Sequence, residues 1–62
     1  MAYQPSPNVL VVDDDESLRE LFVLALRELG YTVNEARDGG EAIHTIERAQ
    51  ARGAPFAIVL LD

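Results

Sequence analysis

The hydrophobic positions of this chain form three short apolar runs, with two segments of helical periodicity between them. Residues 9–12 are a continuous run rich in β-branched side chains, which is typical of a strand buried on both faces. Residues 56–61 form a second continuous run and predict another strand. Residues 31–36 alternate only in part, which predicts a short strand at the edge of a sheet. The chain is therefore expected to contain three strands.

From Glu16 onward, apolar residues recur at steps of three and four, which predicts an amphipathic helix. The residues expected on its buried face are Leu18, Leu21, Phe22, Ala25, Leu26 and Leu29. Val23 and Leu24 are expected on the outward side. Gly30 stands where a helix C-cap belongs, so the helix is predicted to end there.

A second amphipathic helix is predicted to begin at residues 38–41, which match the D-x-x-E capping arrangement. Its expected inward face consists of Ala42, Ile43, Ile46 and Ala49. Residues 52–55 end the helix because Pro cannot continue it and Gly terminates it easily. Gly39 and Gly40 lack the spacing of a phosphate-binding loop, G-x-x-x-x-G-K-S/T. His44 has no second His or Cys as a partner, so it is predicted to be a solvent-exposed residue rather than a metal ligand.

The order βαβαβ predicts an α/β fold with parallel strands and right-handed crossovers. Neighbouring parallel strands end at the same edge of a sheet, about 4.8 Å apart. If the first and third strands are neighbours, Asp13, Asp14 and Asp62 converge; antiparallel strands of this length would separate them by roughly 15 Å. Open α/β sheets place their ligand sites at this edge, so we expect one shared acidic site there.

Negative charge is concentrated where the first strand ends, at the consecutive residues Asp13, Asp14 and Asp15. At roughly 5 Å and an effective dielectric near 20, each like-charged pair costs on the order of 3 kcal/mol. A bound cation, protonation or a helix N-terminus can offset this cost. Helix capping alone is the simpler alternative. Either Asp15 is the N-cap, or Ser17 and Glu20 form a competing capping box.

Composition narrows the functional classes. The chain has 62 residues, enough for one small domain, and its net charge of −6 argues against nucleic acid or an anionic membrane as a direct partner. It contains no Cys, which excludes disulfides and thiolate metal sites and suits a cytoplasmic location. No apolar stretch approaches the ~20 residues needed to span a membrane. Residues 1–7 resemble no signal peptide and are expected to be a flexible leader.

Taken in order, several segments resemble the receiver domain of two-component response regulators. Residues 10–15 are similar to the first strand and acidic pair of that family, and residues 29–42 to its second strand and the start of its second helix. Residues 56–62 are similar to its third strand, which ends at the phosphoacceptor. The resemblance covers residues 8–62. It implies a flavodoxin-like, doubly wound parallel sheet, here truncated to βαβαβ with strand order 2-1-3.

The resemblance also implies a mechanism. Asp62 would accept a phosphoryl group from a phosphohistidine on a sensor histidine kinase or a histidine phosphotransfer protein. Asp14 would bind Mg²⁺ directly, Asp13 would bind it through a water, and Asp62 would supply a further oxygen. Mg²⁺ prefers oxygen ligands and commonly uses one or two carboxylates, waters and substrate phosphate. The chain would be a signalling module rather than an enzyme.

Only the N-terminal half of a receiver domain has a counterpart in these residues. The resemblance implies a metal-binding carbonyl two residues beyond the phosphoacceptor, a Thr or Ser after a fourth strand and a Lys after a fifth, and none of these is present among the 62 residues. The third strand is therefore expected to be an exposed apolar edge through which the chain self-associates. We also expect the 62-residue form to be a poor phosphoacceptor.

Two alternatives remain at this point. Residues 13–17 also fit the D-x-D-x-S/T motif of the haloacid dehalogenase phosphatases. In that hypothesis Asp13 is the nucleophile and Asp15 the general acid/base. The helix that begins directly after the motif, and an Asp62 with no assigned role, argue against it. The second alternative is a non-phosphorylated interaction domain of the pseudo-receiver type.

Overall fold

A computed structural model describes residues 7–62 of the chain. Its elements are β1 (Asn8–Val12), α1 (Glu16–Glu28), β2 (Thr32–Ala36), α2 (Gly39–Ala51) and β3 (Ile58–Leu61). The strands form one sheet in the order β2-β1-β3, and both pairs are parallel. The predicted α/β class, the βαβαβ order and the edge position of β2 are confirmed. Residues 1–6 of the predicted leader lie outside the described part of the chain.

The strand boundaries differ by one or two residues from the prediction. The second strand begins at Thr32 rather than at Tyr31, because Tyr31 closes the end of α1 with a backbone hydrogen bond. The third strand begins at Ile58 rather than at Phe56, and Phe56 instead packs beside α2. Between residues 7 and 62, no helix is both long and apolar enough to cross a bilayer.

The central strand β1 is buried on both faces, which explains its unbroken apolar run. One face packs under α1 in a cluster of Val9, Val11, Val23 and Val33, bordered by Leu26 and Tyr31. The other face packs under α2 in a cluster of Leu10, Val12, Ala36 and Ala42, bordered by Ile46 and Phe56. The core of the described chain therefore consists of two thin apolar layers that share one strand.

The predicted buried face of α1 is wrong except at Leu26, which is half-buried against the core. Val23, which was expected to face outward, is only 3% exposed and is the buried residue of the helix. Five residues expected to be inward are exposed: Ala25, and by 44% to 75% the larger Leu18, Leu21, Phe22 and Leu29. At 100° per residue, the face in contact with the sheet is rotated by about a quarter turn from the predicted one. The reason is that α1 packs over β1 and β2 and leaves β3 uncovered.

The predicted face of α2 is correct except at one position. Ala42 and Ala49 are buried and Ile46 is half-buried, but Ile43 is 62% exposed because it lies about 100° around the helix from Ala42. His44 is exposed, as predicted.

The predicted cap of α2 is present. The Asp38 carboxylate accepts a hydrogen bond of 2.8 Å from the backbone N–H of Glu41. This hydrogen bond satisfies one of the backbone N–H groups that have no partner within the helix at its start.

Gly30 ends α1 in a left-handed conformation, with φ of 96°. The Gly30 N–H donates to the Arg27 carbonyl at 3.0 Å, and the Tyr31 N–H donates to the Leu26 carbonyl at 3.1 Å. This pair of bonds is the Schellman motif, which satisfies carbonyls left free by the last turn. The turn directs the chain into β2, so Gly30 positions the second strand.

Replacing Gly30 by Ala is expected to lower the free energy of unfolding by about 1 kcal/mol, because a Cβ at positive φ is strained while Ala restricts the unfolded chain only slightly. Urea unfolding followed by circular dichroism measures the change. Gly40→Ala is the matched control, since Gly40 lies inside α2 and an added Cβ would meet only Asp38 Oδ1 at 3.5 Å. That substitution should be neutral or stabilising. Equal losses at both positions would contradict the argument.

The third strand has no helix against it among the described residues. Ile58, Val59 and Leu60 are each about 40% exposed, and Leu61 is 75% exposed. The strand pairs with β1 along one edge and lies at the end of the sheet. The expected exposed apolar edge is confirmed, and it extends over both faces of the strand.

Candidate functional site

The acidic residues lie at the carboxyl edge of the sheet. Asp13 follows β1 and Asp62 follows β3, and the register pairs Val12 with Leu61, the last residues of the two strands. The Asp62 N–H also donates to the Val12 carbonyl at 3.2 Å. One carboxylate oxygen from each of Asp13, Asp14 and Asp62 lies within 4.8 Å of the others. The structure thus brings together the three carboxylates that the parallel strand order predicts to meet.

Asp13 is the buried member of this cluster, with 4% exposure. Its backbone N–H donates to the Ala36 carbonyl at 3.1 Å, which extends the pairing of β1 with β2 by one residue. Its Oδ1 accepts from the Asp15 N–H at 2.9 Å, and its carbonyl accepts from Arg19 Nη1 at 2.9 Å. Asp13 is therefore held at three points, whereas Asp14 and Asp62 are exposed.

Asp15 has a different role from its two neighbours. It is the N-cap of α1, and its Oδ1 accepts from the Leu18 N–H at 3.1 Å. The alternative box of Ser17 and Glu20 is not the cap, because the helix already begins at Glu16. A carboxylate at a helix N-terminus also complements the helix dipole. The aspartate run is thus divided between a cap and the acidic cluster.

Arg19 is a residue of the site that the sequence analysis did not identify. Its Nε donates to Glu35 Oε1 at 2.8 Å, and its side chain is 11% exposed. The hydrogen bond to Glu35 raises the pKa of the Arg19 guanidinium. One signal was available. Arg19 lies on the line of Val23 and Leu26, at i, i+4 and i+7, where a sheet-facing charge needs partners.

An open cleft of about 410 Å³ lies beside the acidic cluster. It is lined by Val12, Asp13, Asp14, Arg37, Asp38, Gly39, Leu61 and Asp62. On the other face of the sheet, a mainly apolar cavity of about 230 Å³ reaches Asp13 and Asp62 between Phe22 and Leu60. The exposed carboxylates are therefore accessible to a small phosphorylated donor or to a hydrated ion.

The donor set fits Mg²⁺. The three groups that converge are carboxylates, which suit hard cations, with no imidazole or thiolate among them. In octahedral Mg²⁺ sites with ligands at about 2.1 Å, neighbouring oxygens lie about 3 Å apart and opposite ones about 4.2 Å apart. The three carboxylate oxygens lie within 4.8 Å of one another, close to the spacing that one such ion requires. Their role as metal ligands remains a prediction.

The chain is a parallel α/β unit with carboxylates clustered at the carboxyl edge of its sheet. This arrangement is typical of open α/β proteins, which bind their ligands at that edge. Comparison with known proteins narrows that class. The chain is 43% identical over 56 residues, or 90% of its length, to the transcriptional regulatory protein AruR of Pseudomonas aeruginosa. It is 46% identical over 55 residues, or 89% of its length, to the response regulator MprA of Mycobacterium ulcerans. The resemblance to response regulators is thereby confirmed.

The chain spans only 23% and 22% of the length of these two relatives. No protein-family model matches the chain. No solved structure matches it either. The similarity therefore applies to the βαβαβ unit, and the activities and partners of whole regulators are considered below as proposals.

Proposed function

We propose that residues 8–62 are the N-terminal half of a receiver module in a two-component or phosphorelay system, with Asp62 as the phosphoacceptor. The observation that supports this most directly is the convergence of Asp13, Asp14 and Asp62 at one edge of the sheet. The similarity to a response regulator supports a receiver-type signalling function.

In the proposed reaction, an oxygen of the Asp62 carboxylate attacks the phosphorus of a phosphohistidine. The N–P bond breaks, the histidine nitrogen keeps the electron pair, and an acyl phosphate forms on Asp62. Asp13 and Asp14, with Asp62, would hold Mg²⁺. When bound, Mg²⁺ offsets the negative charge of the carboxylates and of the transferred group. The module is modified once per transfer and is not an enzyme with turnover in this proposal.

The proposed donors are a sensor histidine kinase or a histidine phosphotransfer protein, and the proposed location is the cytoplasm. The similarity to response regulators supports both proposals. The net charge of −6 makes direct contact of this segment with nucleic acid unfavourable. A whole regulator could still bind DNA through other residues.

The haloacid dehalogenase alternative has less support. Its general acid/base would be Asp15, but the Asp15 carboxylate caps α1 through the Leu18 N–H. Its nucleophile would be Asp13, which is 4% exposed and bonded to the Asp15 N–H. Phosphatases of that class usually follow the motif with a tight extra turn and a flap, whereas α1 begins here at Glu16.

The experiment that tests the proposal is chemical phosphorylation. The protein, both as these 62 residues and in its natural full-length context, is incubated with phosphoramidate and Mg²⁺, and the modified residue is located by mass spectrometry after borohydride trapping. Label on Asp62 supports the receiver, and label on Asp13 supports the phosphatase. No label at either position in the full-length protein, while Mg²⁺ still binds, would overturn both hypotheses.

Saturation with Mg²⁺ is expected to stabilise the fold. A ligand at ten times its Kd adds about 1.4 kcal/mol if it binds only the folded state, which raises the Tm of a domain this small by several degrees. Asp14→Asn should remove most of this shift. Calorimetry measures Tm with Mg²⁺ and with NaCl at the same ionic strength, because salt alone screens the net negative charge. Equal shifts with both salts would count against a specific metal site.

We also propose that the 62-residue chain self-associates through β3. Sedimentation should show a mass that rises with concentration, because the strand presents an unpaired apolar edge. Val59→Lys should suppress the association, since a charge on an edge strand opposes pairing. Ile43→Lys is the control, because Ile43 is 62% exposed but lies on α2. A wild-type chain that stays monomeric at all concentrations would rule out this association.

A further inference from the structure

Arg19 joins three elements of the fold through one guanidinium. It projects from the first turns of α1, its Nε binds the Glu35 carboxylate on β2, and its Nη1 binds the backbone carbonyl of Asp13 at the end of β1. Both bonds are short, at 2.8 Å and 2.9 Å. The planar guanidinium fixes the relative directions of its N–H groups, so the two bonds together define its position.

The Asp13 carbonyl is the point where the chain leaves β1 and turns into α1. Its amide is paired with β2 through Ala36, and its carboxylate is bonded to the Asp15 N–H. Arg19 satisfies the carbonyl, the one remaining backbone group of this residue. The direction of that carbonyl sets the peptide plane that leads into Asp14. Arg19 therefore acts on the residue that presents the next carboxylate.

We propose that Arg19 is a positioning residue that holds residues 13–15 in the geometry required for Mg²⁺. The inference rests on the proposed function, because it assigns Arg19 a role towards the ion that Asp13, Asp14 and Asp62 would hold. Groups that orient metal ligands without touching the metal typically change affinity by 10–100-fold when removed. Arg19 is in such a position, because it binds the backbone carbonyl that lies between the side chains of Asp13 and Asp14.

Three hypotheses predict different results for Arg19→Gln. A positioning role predicts weaker Mg²⁺ binding. A purely electrostatic role predicts tighter binding, because the substitution removes a positive charge near an acidic cluster. A purely structural role predicts a lower Tm and unchanged affinity in the folded protein. The direction of the affinity change therefore separates the three.

The test measures Mg²⁺ affinity by titration calorimetry and the order of the metal-free loop by NMR relaxation at the Asp15 amide. For Arg19→Gln we expect Mg²⁺ binding about 10-fold weaker and a lower order parameter at Asp15. Glu35→Gln keeps Arg19 but removes its ion pair, and it should act in the same direction with a smaller effect. It serves as the second variant if Arg19→Gln fails to fold.

Two arginines serve as matched controls. Arg37 lines the acidic cleft and forms an exposed ion pair with Glu41 at 3.4 Å. Arg37→Gln removes this positive charge and therefore measures the effect of charge alone. Arg27→Gln removes a hydrogen bond from α1 to the Val33 carbonyl of β2, so it measures the loss of a helix–sheet contact that does not involve Asp13, Asp14 or Asp62. Neither should weaken Mg²⁺ binding.

The outcomes separate this inference from the proposed function. If the wild-type chain binds Mg²⁺ and Arg19→Gln binds it equally well or more tightly, the positioning role is overturned and the proposed function stands. If the wild-type chain binds no Mg²⁺, the proposed function is overturned. In that case, the NMR order parameter of the Asp15 amide without metal decides whether Arg19 holds residues 13–15. An order parameter that is the same in the wild type and in Arg19→Gln would overturn that role as well.

Discussion

Asp62→Asn is expected to abolish phosphoryl incorporation from phosphoramidate. The reaction needs a carboxylate oxygen as the nucleophile, and the neutral amide oxygen of Asn is far weaker. Asp62 is exposed and lines the open cleft, so a donor can reach it. In the full-length protein we expect label to fall to the background level, while the fold is retained because Asp62 lies just after the end of β3. Quantitative mass spectrometry of the trapped product measures the loss.

Asp38→Asn is the matched control for this prediction. Asp38 is also an exposed aspartate that lines the same cleft, but its carboxylate caps α2. Asn caps a helix about as well as Asp, so the fold should be unaffected. Label should remain at the wild-type level in this variant. Persistent label in Asp62→Asn, or equal losses in both variants, would place the phosphoacceptor elsewhere.

Leu10→Ala is expected to destabilise the fold strongly. Leu10 is fully buried in the centre of β1, and removing a buried leucine side chain costs about 2–5 kcal/mol. At about 0.05–0.15 kcal/mol per residue, the total stability of 62 residues is of order 3–9 kcal/mol. The substitution thus removes a large part of the available stability. Circular dichroism and urea titration should show lost helical signal or a midpoint near zero denaturant.

Leu24→Ala is the matched control, because it makes the same substitution at an exposed position. Leu24 is 63% exposed on α1, and Ala has a higher helix propensity than Leu. We expect its free energy of unfolding to change by no more than about 0.5 kcal/mol. If Leu10→Ala were equally mild, the core would not be organised around β1 as the structure indicates.

Most of the fold was predictable from local patterns. The continuous apolar runs at residues 9–12 and 56–61 have no polar alternation, which is typical of strands in parallel sheets. The residues that cap the helices contact only backbone groups a few positions away, so sequence spacing reveals them. They are the N-caps Asp15 and Asp38, and Gly30 at the end of α1. The strand order followed from the resemblance to receiver domains and is confirmed by the sheet.

The acidic cluster was predictable for a topological reason. Parallel strands end at the same edge, so Asp13 and Asp62 meet once β1 and β3 are neighbours. Arg19 was not predictable in the same way. Its partners, Glu35 and the Asp13 carbonyl, lie 16 and 6 residues away along the chain. Only the packing of α1 against the β1–β2 pair brings them together.

The sequence by itself determined the elements, their parallel direction and the edge of the sheet at which the acidic residues lie, because these depend on local periodicity and strand direction. Only the tertiary structure decided which side of each helix is buried. An apolar stripe shows that a helix has a buried face, but the rotation depends on which strands lie beneath it. Here α1 covers β1 and β2, so Val23 is buried and Phe22 is exposed. The same rotation directs Arg19 into the acidic site.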